Sequence, residues 1–159
     1  MTKVSKLNFS SQITEVKNRY QFITPFLTDD FIPYIPEYDA GVDFILYRDH
    51  DDLLLKIQLK SRWTIDKRYF RRNIWIAFPN LESVSVVWYL MPHDLMVEQG
   101  RKSFGNSKSW ANGGYSCPGL TRNLIAACEQ FRLPEFAAKL NREFIEALRT
   151  RYAAGWSMA

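Results

Sequence analysis

The strictest alternation of apolar and polar residues in the chain is the segment LLLKIQLK, residues 53–60. Successive side chains of a β-strand point to opposite faces of a sheet, so this period of two predicts a strand. The residues at its odd-numbered positions are all apolar and would face the core. Gln58 and Lys60 would share the opposite face, close to the end of the strand.

The rest of the first half predicts one helix and four more strands. Apolar residues recur at helical spacing from Ser10 or Ser11 to about Thr24, which predicts an amphipathic helix. Its predicted buried stripe consists of Ile13, Val16, Tyr20, Ile23 and Phe26 or Leu27. Runs of β-branched and aromatic residues predict strands over residues 31–35, 42–47, 73–78 and 84–90. The first of these lies between two prolines and is predicted as an edge strand.

The second half predicts helices and a long loop. Pro92 would begin a short helix that Gly100 ends. The segment 101–118 is rich in Ser, Gly and Asn and is predicted as a loop. Apolar residues at helical spacing predict two further helices, over residues 120–131 and 133–152.

The order of these elements predicts an α/β (α+β) fold, a single mixed β-sheet flanked by helices. The chain has 159 residues, which suits one domain spanning residues 1–159 with a C-terminal helical part at about 119–153. Because 47% of the residues are apolar, the chain can bury a core, which excludes global disorder. The net charge of +4 and the pI of about 9.1 favour an anionic partner.

The cysteines and the hydropathy pattern indicate the compartment. Cys117 and Cys128 form no CxxC pair and have no nearby histidine, so no zinc site is predicted. The segment 1–8 lacks the apolar stretch of a signal peptide. The longest apolar run, residues 74–78, is far too short to span a membrane. We therefore expect a cytoplasmic protein with reduced thiols and no membrane partner.

Polar residues converge at one edge of the predicted sheet. If a hairpin at residues 48–52 joins the two strands, Asp43 lies across from Gln58 and Lys60. Polar groups buried at strand ends are unfavourable unless they are hydrogen-bonded or used in chemistry. Two interpretations stay open: a polar network that ties down a turn, or a catalytic site.

The residue types suit metal-dependent hydrolysis of a phosphodiester. This reaction needs a cation that neutralises the phosphate and acidifies an attacking water, and Mg²⁺ prefers oxygen ligands. Asp43 would supply a carboxylate, Gln58 a neutral side-chain oxygen and Leu59 its backbone carbonyl. Lys60 would orient the attacking water or stabilise the transition state. Glu15 on the first helix would add a further ligand or a base.

The strings GVDFIL and LLKIQLKS resemble the PD-(D/E)xK nuclease superfamily, whose motif is an Asp on one strand and an acidic residue, any residue and Lys on the next. The resemblance implies a restriction-endonuclease-like core over about residues 10–91: a helix, a three-stranded meander, a helix and a further strand. It implies Asp43, Gln58 and Lys60 as the active triad, with Glu15 as an additional acidic residue. It also implies Mg²⁺ or Mn²⁺ as the cofactor.

The chain departs from the family's pattern at three places. Val42 replaces the Pro before the Asp, Gln58 replaces the acidic residue, and Ser61–Arg72 is a short crossover for the family's second helix. The short crossover predicts a rearranged second half of the sheet or an extra hairpin. The resemblance further implies DNA rather than RNA as the substrate, and a homodimer with one active site for each strand that is cut.

A basic segment with interleaved aromatic rings follows Lys60 directly. Its candidate nucleic-acid contacts are Arg62, Trp63, Lys67, Arg68, Arg71 and Arg72. Cations along a segment can follow a phosphate backbone, and aromatic rings can stack on bases. The alternative is a solvated loop whose aromatic residues fold back into the core.

Three functions therefore compete. The first is a Mg²⁺-dependent nuclease that acts on DNA. The second is a catalytically inactive nucleic-acid-binding module on the same fold, which the neutral Gln58 favours. The third is a protein-interaction or defence-associated accessory protein that docks through its last two helices. Only the first two predict binding to nucleic acid that weakens steeply with salt.

Overall fold

A five-stranded mixed β-sheet forms the centre of the computed structural model, which describes residues 10–38, 40–81 and 84–156. The strands of the described residues are β1 (Ile32–Tyr34), β2 (Phe44–Arg48), β3 (Leu53–Leu59), β4 (Thr64–Asp66), β5 (Ile74–Asn80), β6 (Val87–Pro92) and β7 (Gly114–Ser116). The large sheet has the order β1-β2-β3-β5-β6, in which only the β3/β5 pair is parallel. The predicted mixed sheet flanked by helices is confirmed, and β4 and β7 form a small second sheet.

Strand β3 has the alternating burial that its sequence predicts as far as Ile57, whereas Gln58 on the polar side is also buried. Leu53, Leu55 and Ile57 are buried, and Ile57 pairs across the sheet with Phe44 of β2. Helix α1 (Ser10–Leu27) covers this face, because the ring of Phe22 lies 5.6 Å from that of Phe44. The even-numbered residues of β3, which include Gln58, therefore point to the face away from α1.

The side of helix α1 that packs on the sheet is not the side that the sequence predicts. It continues past Thr24 to Leu27 with Pro25 inside, and its buried residues are Phe22, Ile23 and Phe26. Four residues of the predicted stripe are instead exposed: Ile13, Val16, Tyr20 and Leu27. The prediction of the helix is confirmed, whereas most of the predicted stripe is wrong.

A strand and a turn, rather than a helix, connect the parallel strands β3 and β5. Strand β4 is followed by a 3₁₀ turn at Lys67–Tyr69, and β4 pairs antiparallel with the distant β7. The helix that the family resemblance implies at this place is not formed by the described residues. The short crossover is rearranged, as its length predicts, but by pairing with β7 rather than by a hairpin.

Helix α2 (His93–Phe104) runs through the position where Gly100 is predicted to end it. A Cβ at this glycine would lie 2.6 Å from Cδ1 of Ile65 and 2.7 Å from Cζ3 of Trp110. Gly100 therefore allows close packing of α2 on its neighbours instead of ending the helix. The predicted loop 101–118 is also wrong, since it contains the end of α2, helix α3 (Lys108–Ala111) and β7.

The last two helices are shorter than predicted. Helix α4 spans Arg122–Cys128 and passes into a 3₁₀ turn, and helix α5 spans Arg142–Trp156. Residues 133–141 are not α-helical and contain only a 3₁₀ turn at Ala137–Lys139. Helix α5 begins where it does because the side chain of Asn141 accepts a hydrogen bond from the N–H of Phe144 (2.7 Å).

The helices and the two sheets share one hydrophobic core cluster. Both cysteines are free and buried, and burial raises the pKa of the Cys128 thiol to about 12. Among the described residues, no helix is long and apolar enough to cross a membrane.

Candidate active site at the end of strand β3

A side chain joins the end of β3 to the start of β2. Asp43 immediately precedes β2, and its backbone N–H donates to the carbonyl of Ile57 (2.8 Å). Its Oδ2 accepts a hydrogen bond from the backbone N–H of Leu59 (2.6 Å). On the other side of β3, the N–H of Lys60 donates to the carbonyl of Ala77 in β5 (2.8 Å). The Asp43 carboxylate thus serves as the acceptor for β3 at the place where β2 begins.

Gln58 is the buried polar residue at this end of the sheet. The pairing of Phe44 with Ile57 places it across from Asp43, as the hairpin argument predicts. The residue is 5% exposed, and its Oε1 has no hydrogen-bond partner among the described residues. A buried amide oxygen without a partner costs about 1–3 kcal/mol. A cation or a hydrogen-bond donor next to this oxygen would remove that unfavourable free energy.

Lys60 and Glu15 line a cavity of 340 Å³ between the start of α1 and the end of β3. Four α1 residues and two residues next to Lys60 complete the lining: Ser10, Ser11, Thr14, Asn18, Leu59 and Ser61. The side chain of Glu15 is 63% exposed and accepts a hydrogen bond from Arg19 (3.1 Å). Asp43 and Gln58 are not part of this lining. The predicted site residues therefore do not form one cluster: Gln58 points away from α1, whereas the cavity that Lys60 and Glu15 line lies on the α1 side.

The oxygen donors at the strand ends suit a loosely held Mg²⁺. Within the described part of the chain, no group of three or more His, Cys, Asp or Glu side chains is placed to hold a metal ion. Mg²⁺, however, is commonly bound by one or two carboxylates together with waters and substrate phosphates. A carboxylate has about four lone-pair sites, so the bond from Leu59 still allows Asp43 to be a ligand. The Oε1 of Gln58 is the second oxygen atom whose chemistry suits a Mg²⁺ ligand.

A further carboxylate, Asp66 in β4, lies within electrostatic reach of Lys60. The backbone N–H and the guanidinium of Arg68 donate to Asp66 over 2.6–3.1 Å. These hydrogen bonds lower the pKa of Asp66, and the charge of Lys60 contributes to the lowering. The sequence signal for Asp66 is local: an Asp that begins a turn and accepts from the residue two positions later.

The predicted nucleic-acid contacts separate into surface residues and residues used by the fold. The exposed ones are Arg62, Arg68, Arg71 and Arg72. Trp63 is 1% exposed and its ring packs 5.8 Å from that of Phe104, so the prediction that it contacts nucleic acid is wrong. The Nζ of Lys67 donates to the carbonyl of Trp110 (2.6 Å) and lies 4.2 Å from the centre of its indole ring. Lys67 therefore holds α3 against the connection between β3 and β5.

Comparisons with known proteins do not place the chain in a family. No family model matches it, and no curated protein or solved structure is significantly similar to it. The geometry at the end of β3 is therefore the basis on which a function can be proposed.

Proposed function

We propose that the protein is a metal-dependent nuclease that hydrolyses phosphodiester bonds, with DNA as its substrate. The observation that carries the proposal is the buried Oε1 of Gln58, which lies across from Asp43 and has no hydrogen-bond partner in the part of the chain that the structure describes. A buried acceptor is stabilised by a cation, and the neighbouring carboxylate supplies the negative charge that attracts one. Lys60 comes directly after β3 and lines a cavity on the α1 side of the strand that is large enough to admit a phosphate group.

Each residue has a separate role in this proposal. Asp43, Gln58 and the carbonyl of Leu59 would hold Mg²⁺ or Mn²⁺, which when bound neutralises phosphate charge and acidifies water. Lys60 lines the cavity, and its positive charge would stabilise the negative charge that develops on the phosphate. Glu15, which lines the same cavity, accepts a proton from the attacking water or orients it.

Exposed arginines next to the site would bind the phosphates that flank the cleaved bond. Arg62 lies two residues after Lys60. The Nζ of Lys56 donates to the carbonyl of Arg72 (2.6 Å), and Lys56 shares its face of β3 with Gln58. Both ends of the basic segment are thereby tied to this strand. A homodimer would present one such surface to each strand of a duplex.

The test is cleavage of supercoiled plasmid and of labelled single strands with Mg²⁺ or Mn²⁺. We compare the wild type with Lys60→Met and with the control Lys139→Met, which removes an exposed lysine from the 3₁₀ turn before α5. The wild type and the control should cut in the presence of metal. Lys60→Met should lose about 100-fold in rate, the scale for removing one group that stabilises the transition-state charge.

Two outcomes would contradict the proposal and point elsewhere. If no variant cuts but all bind DNA in a salt-sensitive manner, the protein is the inactive binding module that the neutral Gln58 favours. If it neither cuts nor binds nucleic acid at moderate salt, the protein-interaction function remains. If both lysine variants lose the same factor in cleavage rate, Lys60 acts through the overall positive charge of the protein and not as a catalytic group.

A further inference from the structure

Tyr69 belongs to the basic segment and contacts the stretch of chain that leads into Asp43. It ends the 3₁₀ turn Lys67–Tyr69, and its ring lies against the backbone of Gly41. A Cβ at residue 41 would be 2.7 Å from Cζ of Tyr69 and 2.9 Å from its hydroxyl oxygen, closer than real Cβ contacts. Gly41 also has a φ of +85°, a region that favours glycine. Glycine at this position is therefore what admits the Tyr69 ring.

His93 also contacts the Tyr69 ring. The two ring centroids are 6.3 Å apart with an interplanar angle of 81°, an edge-to-face contact. His93 is 1% exposed, and neither of its ring nitrogens has a hydrogen-bond partner among the described residues. Tyr69 thus contacts both the backbone at Gly41 and a buried imidazole at the start of α2.

The position of Gly41 restricts that of Asp43. Consecutive Cα atoms are about 3.8 Å apart, so only two such steps separate the two residues. The residue between them, Val42, packs against the hydrophobic core. The Asp43 carboxylate must still reach the N–H of Leu59 at 2.6 Å. A shift of the chain at Gly41 would therefore be transmitted to this hydrogen bond.

We infer that Tyr69 is a positioning residue that holds the Gly41–Asp43 segment, keeps the Asp43 carboxylate on the Leu59 amide, and so couples the basic segment to the proposed metal site. Arg68 precedes Tyr69, and its guanidinium lies 5.6 Å from the centre of that ring with 78% of its side chain exposed. Because Arg68 and Tyr69 share one 3₁₀ turn, a phosphate bound at Arg68 would act on the residue that holds Gly41. The coupling to metal rests on the proposed nuclease function, whereas the positioning of Asp43 does not.

The amide proton of Leu59 reports on this contact without any activity, since a short hydrogen bond to a carboxylate moves its NMR resonance downfield. We compare amide spectra of the whole protein with those of Tyr69→Leu and Tyr69→Phe, and with the control Phe70→Leu. Phe70 adjoins Tyr69, and its ring lies 5.3 Å from the guanidinium of Arg71. Only Tyr69→Leu should move the Leu59 resonance upfield. Its Mn²⁺ affinity should fall about 10-fold, the scale for groups that orient a metal ligand.

An unmoved Leu59 resonance in folded Tyr69→Leu protein overturns the inference. Tyr69→Met adapts better to the buried space, because its side chain is long and flexible. It also removes the ring from Gly41, so it should likewise move the Leu59 resonance upfield. It decides the question if Tyr69→Leu does not fold, and an unmoved resonance there is again a refutation. A moved resonance in a protein that binds no Mn²⁺ and cuts no DNA supports the positioning and refutes the nuclease alone.

Discussion

A cation site and an ordinary polar network at the end of β3 predict different responses to a substitution at Gln58, whose Oε1 is buried. Gln58→Glu would bury a carboxylate across from Asp43, where desolvation and like charge both oppose ionisation. Without metal, the variant should lose about 3 kcal/mol in free energy of unfolding. Mn²⁺ should restore much of this loss, and cleavage should increase if the glutamine merely attenuates the site. Urea unfolding with EDTA or with Mn²⁺ measures the effect.

Gln99 offers a matched control for that substitution. Its Oε1 is also buried and without a hydrogen-bond partner among the described residues, but it lies on α2. Gln99→Glu should lower stability in EDTA and gain little from Mn²⁺. An equal recovery of both variants with Mn²⁺ would show that the response is not specific to residue 58, and the metal ligation proposed for Gln58 would be abandoned.

Arg48 connects two elements, the end of β2 and the chain before α5. Its buried guanidinium donates to the two carboxylate oxygens of Asp51 (2.7 and 3.0 Å) and to the carbonyl of Leu140, and lies 4.6 Å from the centre of the Phe31 ring. Asp51→Asn would leave this cation without its anionic partner. We expect a loss of about 3 kcal/mol in unfolding free energy at pH 7, measured in urea.

The same pair predicts a pH dependence. The hydrogen bond from Arg48 lowers the pKa of Asp51 below its ordinary value of 3.8. Because the pKa is lower in the folded state, the pair stabilises the fold above the unfolded-state pKa and loses this effect as the pH falls through the folded-state pKa. The stability difference between wild type and Asp51→Asn should therefore be full at pH 7 and shrink below about pH 4. A difference that stays constant down to pH 2 would contradict this explanation.

Gly100 shows how tertiary packing determines the length of α2. Alanine is a better helix former than glycine by about 1 kcal/mol, so helix propensity alone predicts that Gly100→Ala stabilises. The added Cβ would however overlap Ile65 and Trp110. We expect Gly100→Ala to lower the unfolding free energy by about 1–3 kcal/mol. The exposed Ser103→Ala on the same helix should be neutral or stabilising, and a stabilised Gly100→Ala protein would refute the packing argument.

The elements that local sequence determines were the predictable ones. Strand β3 was predictable because apolar residues occupy all of its odd-numbered positions. Asp43 came to lie across from Gln58 because a short hairpin determines that pairing. The stripe of α1 was not, since Ile13 and Phe22 are both apolar and local spacing does not say which side meets the sheet. The pairing of β4 with β7 joins residues about 50 positions apart, for which the chain carries no local signal.

At the scale of the whole molecule, the positive charge is distributed unevenly between paired and unpaired arginines. Arg62 and Arg72 are exposed, and neither forms an ion pair with a described residue. Arg132 and Arg142 are equally exposed but bind Glu129 and Asp52, at 3.1 and 2.9 Å. The net charge of +4 contains all of them, so it cannot say which surface meets an anion. The structure makes that distinction testable.

Salt dependence of DNA binding locates the nucleic-acid surface. Each phosphate contact in duplex DNA contributes about 0.9 to the slope of log K against log salt. The double variant Arg62→Gln/Arg72→Gln should therefore reduce the slope by about 1.8, measured by fluorescence anisotropy at several salt concentrations. The double variant Arg132→Gln/Arg142→Gln removes the same charge from arginines that already have acidic partners, and it should leave the slope unchanged. Equal reductions would mean that the net charge of the molecule, rather than the segment after β3, attracts the DNA.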